Sequence, residues 1–166
     1  SIAKSLGWLA GEQELQDNHF AQTPTGWKHL DFHSGFFASS KQELGNRLAE
    51  LKDCIDFKKQ SPDILIVTLG TAWVYVWKDS GEIVANCHKI PNKQFEKRLL
   101  GVEEIVTAFG GLLNILPSKT QIILTVSPVR HLKDTLPLNA VSKSVLRLAC
   151  HQLTEQFEQF HYFPAY

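Results

Sequence analysis

The six residues Ile64-Leu65-Ile66-Val67-Thr68-Leu69 restrict the fold more than any other stretch of this chain. Five of the six are branched aliphatics. The run is too short for an ordinary helix, and it lacks the polar alternation that lets one face of a strand meet water. Strands of this kind lie inside parallel sheets, buried on both sides. A second run, Gln121-Ile122-Ile123-Leu124-Thr125-Val126, repeats the pattern. Both stop at polar points, the first at Gly70-Thr71 and the second at Ser127-Pro128-Val129-Arg130-His131. In open α/β sheets ligands bind just past the carboxyl ends of the strands. The two runs therefore predict a functional edge carrying Gly70, Thr71, Ser127, Arg130 and His131.

Helical spacing fills the intervals. Ile2, Leu6 and Leu9 predict a short first helix, capped by Ser1 and stopped by Gly11. Ser40 with Glu43 forms a capping box ahead of Leu44, Leu48, Leu51 and Ile55. Pro91 opens a short helical stretch through Leu100, and a longer helix follows Gly101 with Val102, Ile105, Val106, Phe109, Leu113 and Leu116 on its buried face. Gly110-Gly111 inside that helix costs about 1 kcal/mol per glycine against alanine, which predicts close packing there. A last helix runs from Asn139 to about Gln159 with Val141, Val145, Leu148, Ala149, Leu153 and Phe157 on one face, and His161-Tyr162-Phe163 begins a third strand. Trp73, Tyr75 and Trp77 alternate with valines before Asp79-Ser80-Gly81, a hairpin signature that delivers Asn86, Cys87 and His88 to its far end. Residues 12–35 read as a long polar connection broken by Pro24, Gly26 and Gly35. The whole reads as a single α/β domain over 1–166, a three-layer α/β/α sandwich with a mostly parallel sheet covered on both faces, plus a β-hairpin. Three strands are few for that plan, so the chain is expected to be the middle of a longer domain, with an unpaired sheet edge open to self-association.

Composition removes several classes of function. Seventeen basic residues balance seventeen acidic ones without a basic stripe, which argues against nucleic acid as a partner. No apolar run approaches the roughly 18 residues of a membrane span. Cys54, Cys87 and Cys150 are odd in number and far apart, which fits a reduced, cytoplasmic setting.

Chemistry at the predicted edge is sparse. Ser127 and His131 could be a nucleophile and its base, although Ser-Pro is also an ordinary strand ending. Arg130 with His131 suits an anionic group. His29, Asp31 and His33 alternate and on an extended segment would face one way, yet no fourth ligand accompanies them, so neither metal nor cofactor is expected. His19, His151 and His161 read as surface or helix-face residues. Trp73, Tyr75 and Trp77 are expected in a core rather than in a sugar subsite. No dinucleotide fingerprint, P-loop, nucleophile elbow or zinc-finger spacing is present.

Four ordered blocks resemble the bacterial GSCFA family: Thr68-Leu69-Gly70-Thr71-Ala72-Trp73-Val74-Tyr75, Val84-Ala85-Asn86-Cys87-His88-Lys89-Ile90-Pro91, Thr125-Val126-Ser127-Pro128-Val129-Arg130-His131 and Tyr162-Phe163-Pro164-Ala165-Tyr166. Asp31-Phe32-His33-Ser34 and Asn139, Ser142 and Lys143 extend the likeness. That family is similar to the SGNH hydrolases, so the resemblance implies an SGNH or flavodoxin-like sheet and hydrolysis of an ester, such as an acylated carbohydrate. The Gly-Ser-Cys-Phe-Ala block of the presumed serine and the late His-Pro block of the presumed base are absent from these 166 residues. The resemblance therefore implies a substrate wall, with Gly70, Thr71, Asn86, His88, Ser127, Arg130, His131 and His33 as binding or oxyanion candidates. The alternative is a non-catalytic binding or scaffolding module of the same fold.

Overall fold

The computed structural model describes residues 2–55, 61–130 and 135–166. Its strands are β1 (Phe20–Thr23), β2 (Gly26–His29), β3 (Phe37–Ala38), β4 (Ile64–Leu69), β5 (Trp73–Trp77), β6 (Glu82–Val84), β7 (Phe95–Leu99), β8 (Gln121–Val126) and β9 (Phe160–Tyr162). Its helices are α1 (Ile2–Leu9), α2 (Lys41–Cys54), α3 (Val102–Gly110) and α4 (Leu136–Gln156). The chain divides into two compact units, Ser1–Gln60 with Val74–Arg98, and Ser61–Trp73 with Leu99–Tyr166.

The first unit is antiparallel. Where a long connection was expected, β1 and β2 form a hairpin in register Phe20↔His29, and β3 adds to it through Trp27↔Ala38. Each strand has four residues or fewer, too short to show an alternation, so only Pro24 and Gly26 marked the turn. α2 starts as expected: Glu43 N donates to the Ser40 side chain at 3.1 Å. The reciprocal arm of the box falls one residue earlier, where Ser39 N donates to Glu43 Oε2 at 3.1 Å. Leu44 and Leu48 on α2 pack with Trp8 of α1 and Ala38 of β3. The predicted hairpin is present, with β5 and β6 paired Tyr75↔Val84 to Trp77↔Glu82 and Gly81 in the left-handed region at φ +70. The expected helix from Pro91 to Leu100 is instead one 3₁₀ turn at Asn92–Gln94 followed by β7, in a sheet ordered β6-β5-β7. Trp77, Val84 and Phe95 of that sheet pack on Leu30.

The second unit is α/β. β4 and β8 run parallel from Ile64↔Gln121 to Leu69↔Val126, and β9 joins β8 in parallel, giving the order β4-β8-β9. Helix α4 lies on β8 and β9, with α3 packed beside it. Ile122, Leu124 and Val126 are buried beneath them, as are Val67 and Leu69. The expectation that β4 is buried on both sides is corrected: Ile64 and Ile66 are 57% and 67% exposed. β4 is an edge strand here, and apolar composition alone cannot distinguish an open face from a covered one. The helix after Gly101 is also shorter than expected, passing at Gly110 into a 3₁₀ turn over Gly111–Asn114. Close packing holds at Gly110, where a Cβ would stand 3.0 Å from the Phe157 ring, and not at Gly111, which faces open space.

Candidate functional site

The carboxyl end of β4 is anchored by the first turns of α4. Helix α4 starts at a Thr135 cap and buries Asn139, Ser142 and Lys143 before the apolar Leu146, Ala149, Cys150 and Leu153. These seven positions share one helical face, since their spacings are threes and fours. Lys143 is fully buried, and its Nζ donates to the Gly70 carbonyl at 2.6 Å. Burial holds that ammonium below the usual lysine range. The Ala72 N–H donates to Ser142 Oγ at 2.8 Å, Ser142 and Thr71 share a hydroxyl hydrogen bond at 3.0 Å, and the Trp73 N–H donates to Thr71 Oγ1 at 3.1 Å. The Trp73 indole donates to the Leu138 carbonyl at 3.2 Å. The Gly70–Trp73 loop is thus tied along its length to α4.

The other predicted residues of this unit are looser. Ser127 Oγ accepts the Val129 N–H at 3.2 Å, which shapes the turn through Pro128. Arg130 is exposed, and His131 lies outside the described residues.

His33, Asn86 and His88 belong to the first unit. His33 is exposed and accepts the Gly35 N–H at 3.1 Å, so it does not share a face with His29 and Asp31. The strand that would have aligned all three ends at His29. Asn86 Oδ1 accepts the His88 N–H at 3.0 Å across a turn in which His88 and Lys89 take φ of +47 and +63. His88 Nε2 donates to the His29 carbonyl at 2.8 Å, and burial lowers its pKa.

A buried polar cluster also lies in the first unit. His19 and His29, both at 0% exposure, and Asp31 each offer a donor atom, all within 4.8 Å of one another. His19 Nδ1 donates to Asp31 Oδ2 at 3.1 Å, and His29 Nδ1 accepts the Asp31 N–H at 3.2 Å. Lys4 Nζ stands 2.9 Å from Asp31 Oδ2 and 3.2 Å from Glu82 Oε2. Asp31 Oδ1 is buried with no hydrogen-bond partner among the described residues. Burial pushes His29 down to about 4, against the opposing pull of the Asp31 carboxylate, so its ring is neutral at pH 7.

The sequence profile of the GSCFA family matches residues 1–166. The chain belongs to the GSCFA family. No curated protein and no solved structure matches it.

Two features of this GSCFA chain escaped apolar periodicity. The buried face of α4 was expected to contain Val141 and Leu148, which are 45% and 49% exposed, whereas Ser142 and Lys143 point inward. His19 was read as a surface residue because its partners, Asp31, Ser80 and Glu82, are 12 or more positions away. The available signal for α4 was the set Asn139, Ser142, Lys143 and Leu146, whose polar members continue the register of its apolar ones.

Ser142→Ala tests the anchor of the GSCFA loop. It leaves the buried Ala72 N–H without an acceptor, which costs about 1–3 kcal/mol. Amide hydrogen exchange at Ala72 and Trp73 is expected to accelerate, and unchanged protection would show that Ser142 does not hold the loop.

Proposed function

We propose that this GSCFA chain builds the carboxyl-edge wall of an SGNH-like ester hydrolase, with acylated carbohydrates as the substrate class and the nucleophile and base supplied from outside these 166 residues. The observation that carries this reading is the Gly70–Trp73 loop at the end of β4, held by Ser142 and Lys143. A parallel sheet collects ligands at that edge, and a rigid loop keeps the wall in place without reorganisation. Ser127 Oγ accepts the Val129 N–H, and among the described residues no histidine or carboxylate hydrogen-bonds it as a base. Ser127 is therefore assigned to the wall rather than to nucleophilic attack. Arg130, exposed beside it, and His131 are assigned to an anionic or polar substituent of the substrate. Three cysteines without disulfides fit a cytoplasmic setting, and the GSCFA resemblance implies a bacterial source.

The test is hydrolysis of p-nitrophenyl acetate by the 166-residue chain and by a longer chain that also carries the Gly-Ser-Cys-Phe-Ala and His-Pro blocks. The short chain is expected to be inactive and the longer one active, with Arg130→Ala raising KM for an anionic ester. Turnover by the short chain above the buffer rate would refute the division of labour. Absence of turnover in the longer chain, together with saturable sugar or anion binding, would favour a binding module.

A further inference from the structure

The first unit contains a second site that the edge chemistry does not use. We propose that His19, His29 and Asp31 bind one divalent transition ion of the zinc type, with the Lys4 ammonium occupying the cation position when the ion is absent. Hairpin β1–β2 builds the site. The register Phe20↔His29 brings His19, the residue before β1, beside the end of β2, and Asp31 follows two residues later.

The donor set suits a borderline ion: two imidazoles and one carboxylate. Ligands about 2.0–2.2 Å from a tetrahedral zinc lie roughly 3.3 Å from one another. His19 Nδ1 already stands 3.1 Å from Asp31 Oδ2, and His29 Nδ1 stands 3.9 Å from the same oxygen. All three donor atoms lie within 4.8 Å of one another, so the site closes with a shift of up to about 1.5 Å, a side-chain adjustment.

The surroundings supply an outer contact to His19, whereas His29 Nε2 is buried without a partner among the described residues. With Nδ1 on the ion, the His19 proton moves to Nε2, which faces Ser80 Oγ at 3.3 Å and Glu82 Oε2 at 3.4 Å. That is a carboxylate–histidine–metal relay. Coordination through His29 Nδ1 replaces the hydrogen bond that this atom now accepts from the Asp31 N–H, with the ring proton on Nε2. Asp31 Oδ1, buried and unpartnered among the described residues, gains the ion as a partner when the carboxylate binds through both oxygens.

Lys4 shows that the site selects positive charge. Its side chain is 26% exposed and bridges Asp31 to Glu82, so it can release Asp31 and keep Glu82. A narrow cleft lined by Lys4, Glu14, Asp31 and Phe32 opens onto the Asp31 side of the cluster. Three protein ligands leave a fourth position for water.

The experiment titrates the tag-free chain with Co²⁺ alone, read by visible d–d absorption, and then displaces it with Zn²⁺. One equivalent of cobalt in a low-coordinate spectrum is expected. Lys4→Met removes the competing cation and tightens binding, whereas Glu82→Gln weakens it by about tenfold or more through the outer contact. His29→Gln abolishes it. Far-UV circular dichroism establishes that each variant is folded. Lys4 and Glu82 are partly exposed, so their variants decide the matter even if His29→Gln fails to fold. Absence of stoichiometric cobalt in both wild type and Lys4→Met, or equal affinity in wild type and Glu82→Gln, overturns the proposal.

Discussion

Gly26→Ala is expected to cost the first unit about 3 kcal/mol or more, from left-handed strain and a backbone clash together. Gly26 adopts φ +112, a region that side chains rarely enter. A Cβ there would lie 2.6 Å from the Ala38 carbonyl oxygen, which is main chain and cannot rotate away. Either the β1–β2 turn opens or β3 leaves β2, since the contact falls where Trp27 pairs with Ala38. Against a typical total of about 5–15 kcal/mol, that loss is large. Thermal unfolding followed by far-UV circular dichroism should show a midpoint lower by about 10 °C. The same variant should scatter His19 and His29, because the hairpin register is what joins them. A midpoint within error of wild type would mean that the close approach of β2 and β3 is not made.

Lys143→Ala is expected to cost the second unit about 3 kcal/mol, and Lys143→Met about 1 kcal/mol. Alanine removes a fully buried stem and leaves a cavity, whereas methionine keeps most of the volume. Both leave the Gly70 carbonyl without the Nζ donor, and both remove the burden of burying an ammonium, which offsets part of the loss. The pH dependence separates these effects. The folded-state pKa of Lys143 is lowered by burial, so the unfolded chain binds this proton more tightly. Stability from this group therefore rises with pH from the lowered folded value up to the ordinary 10.5, and it is constant below that window. Urea midpoints should show the rise in wild type and not in Lys143→Met. Equal slopes would remove the buried ammonium from the account of this loop.

Legibility in the sequence followed the length of each pattern. The parallel pair β4–β8, the β5–β6 hairpin, α2 with its cap and the start of β9 could all be read, because each is marked by a run of residues or a turn signal. The β1–β2–β3 sheet could not, since strands of two to four residues leave too few positions for a period. β7 lies in the stretch after Pro91 that reads as helix, and Phe95-Glu96-Lys97-Arg98-Leu99, with apolar ends four apart, fits either state until its pairing is known.

For the candidate sites the division is similar. The sequence determined that Gly70 and Thr71 stand at the end of a buried-type strand, that Ser127 and Arg130 stand at the end of its twin, and that the chain resembles GSCFA proteins throughout. Local composition carries that information, because strand ends and turns are written in adjacent residues. Only the tertiary structure decided which polar side chains face inward: Ser142 and Lys143 onto the Gly70–Trp73 loop, and His19 and His29 onto Asp31. Most of these groups are satisfied by partners distant in sequence, as Ser142 and Lys143 are by the Gly70–Trp73 loop and His19 by Asp31, and such a partner leaves no mark on the residues around it.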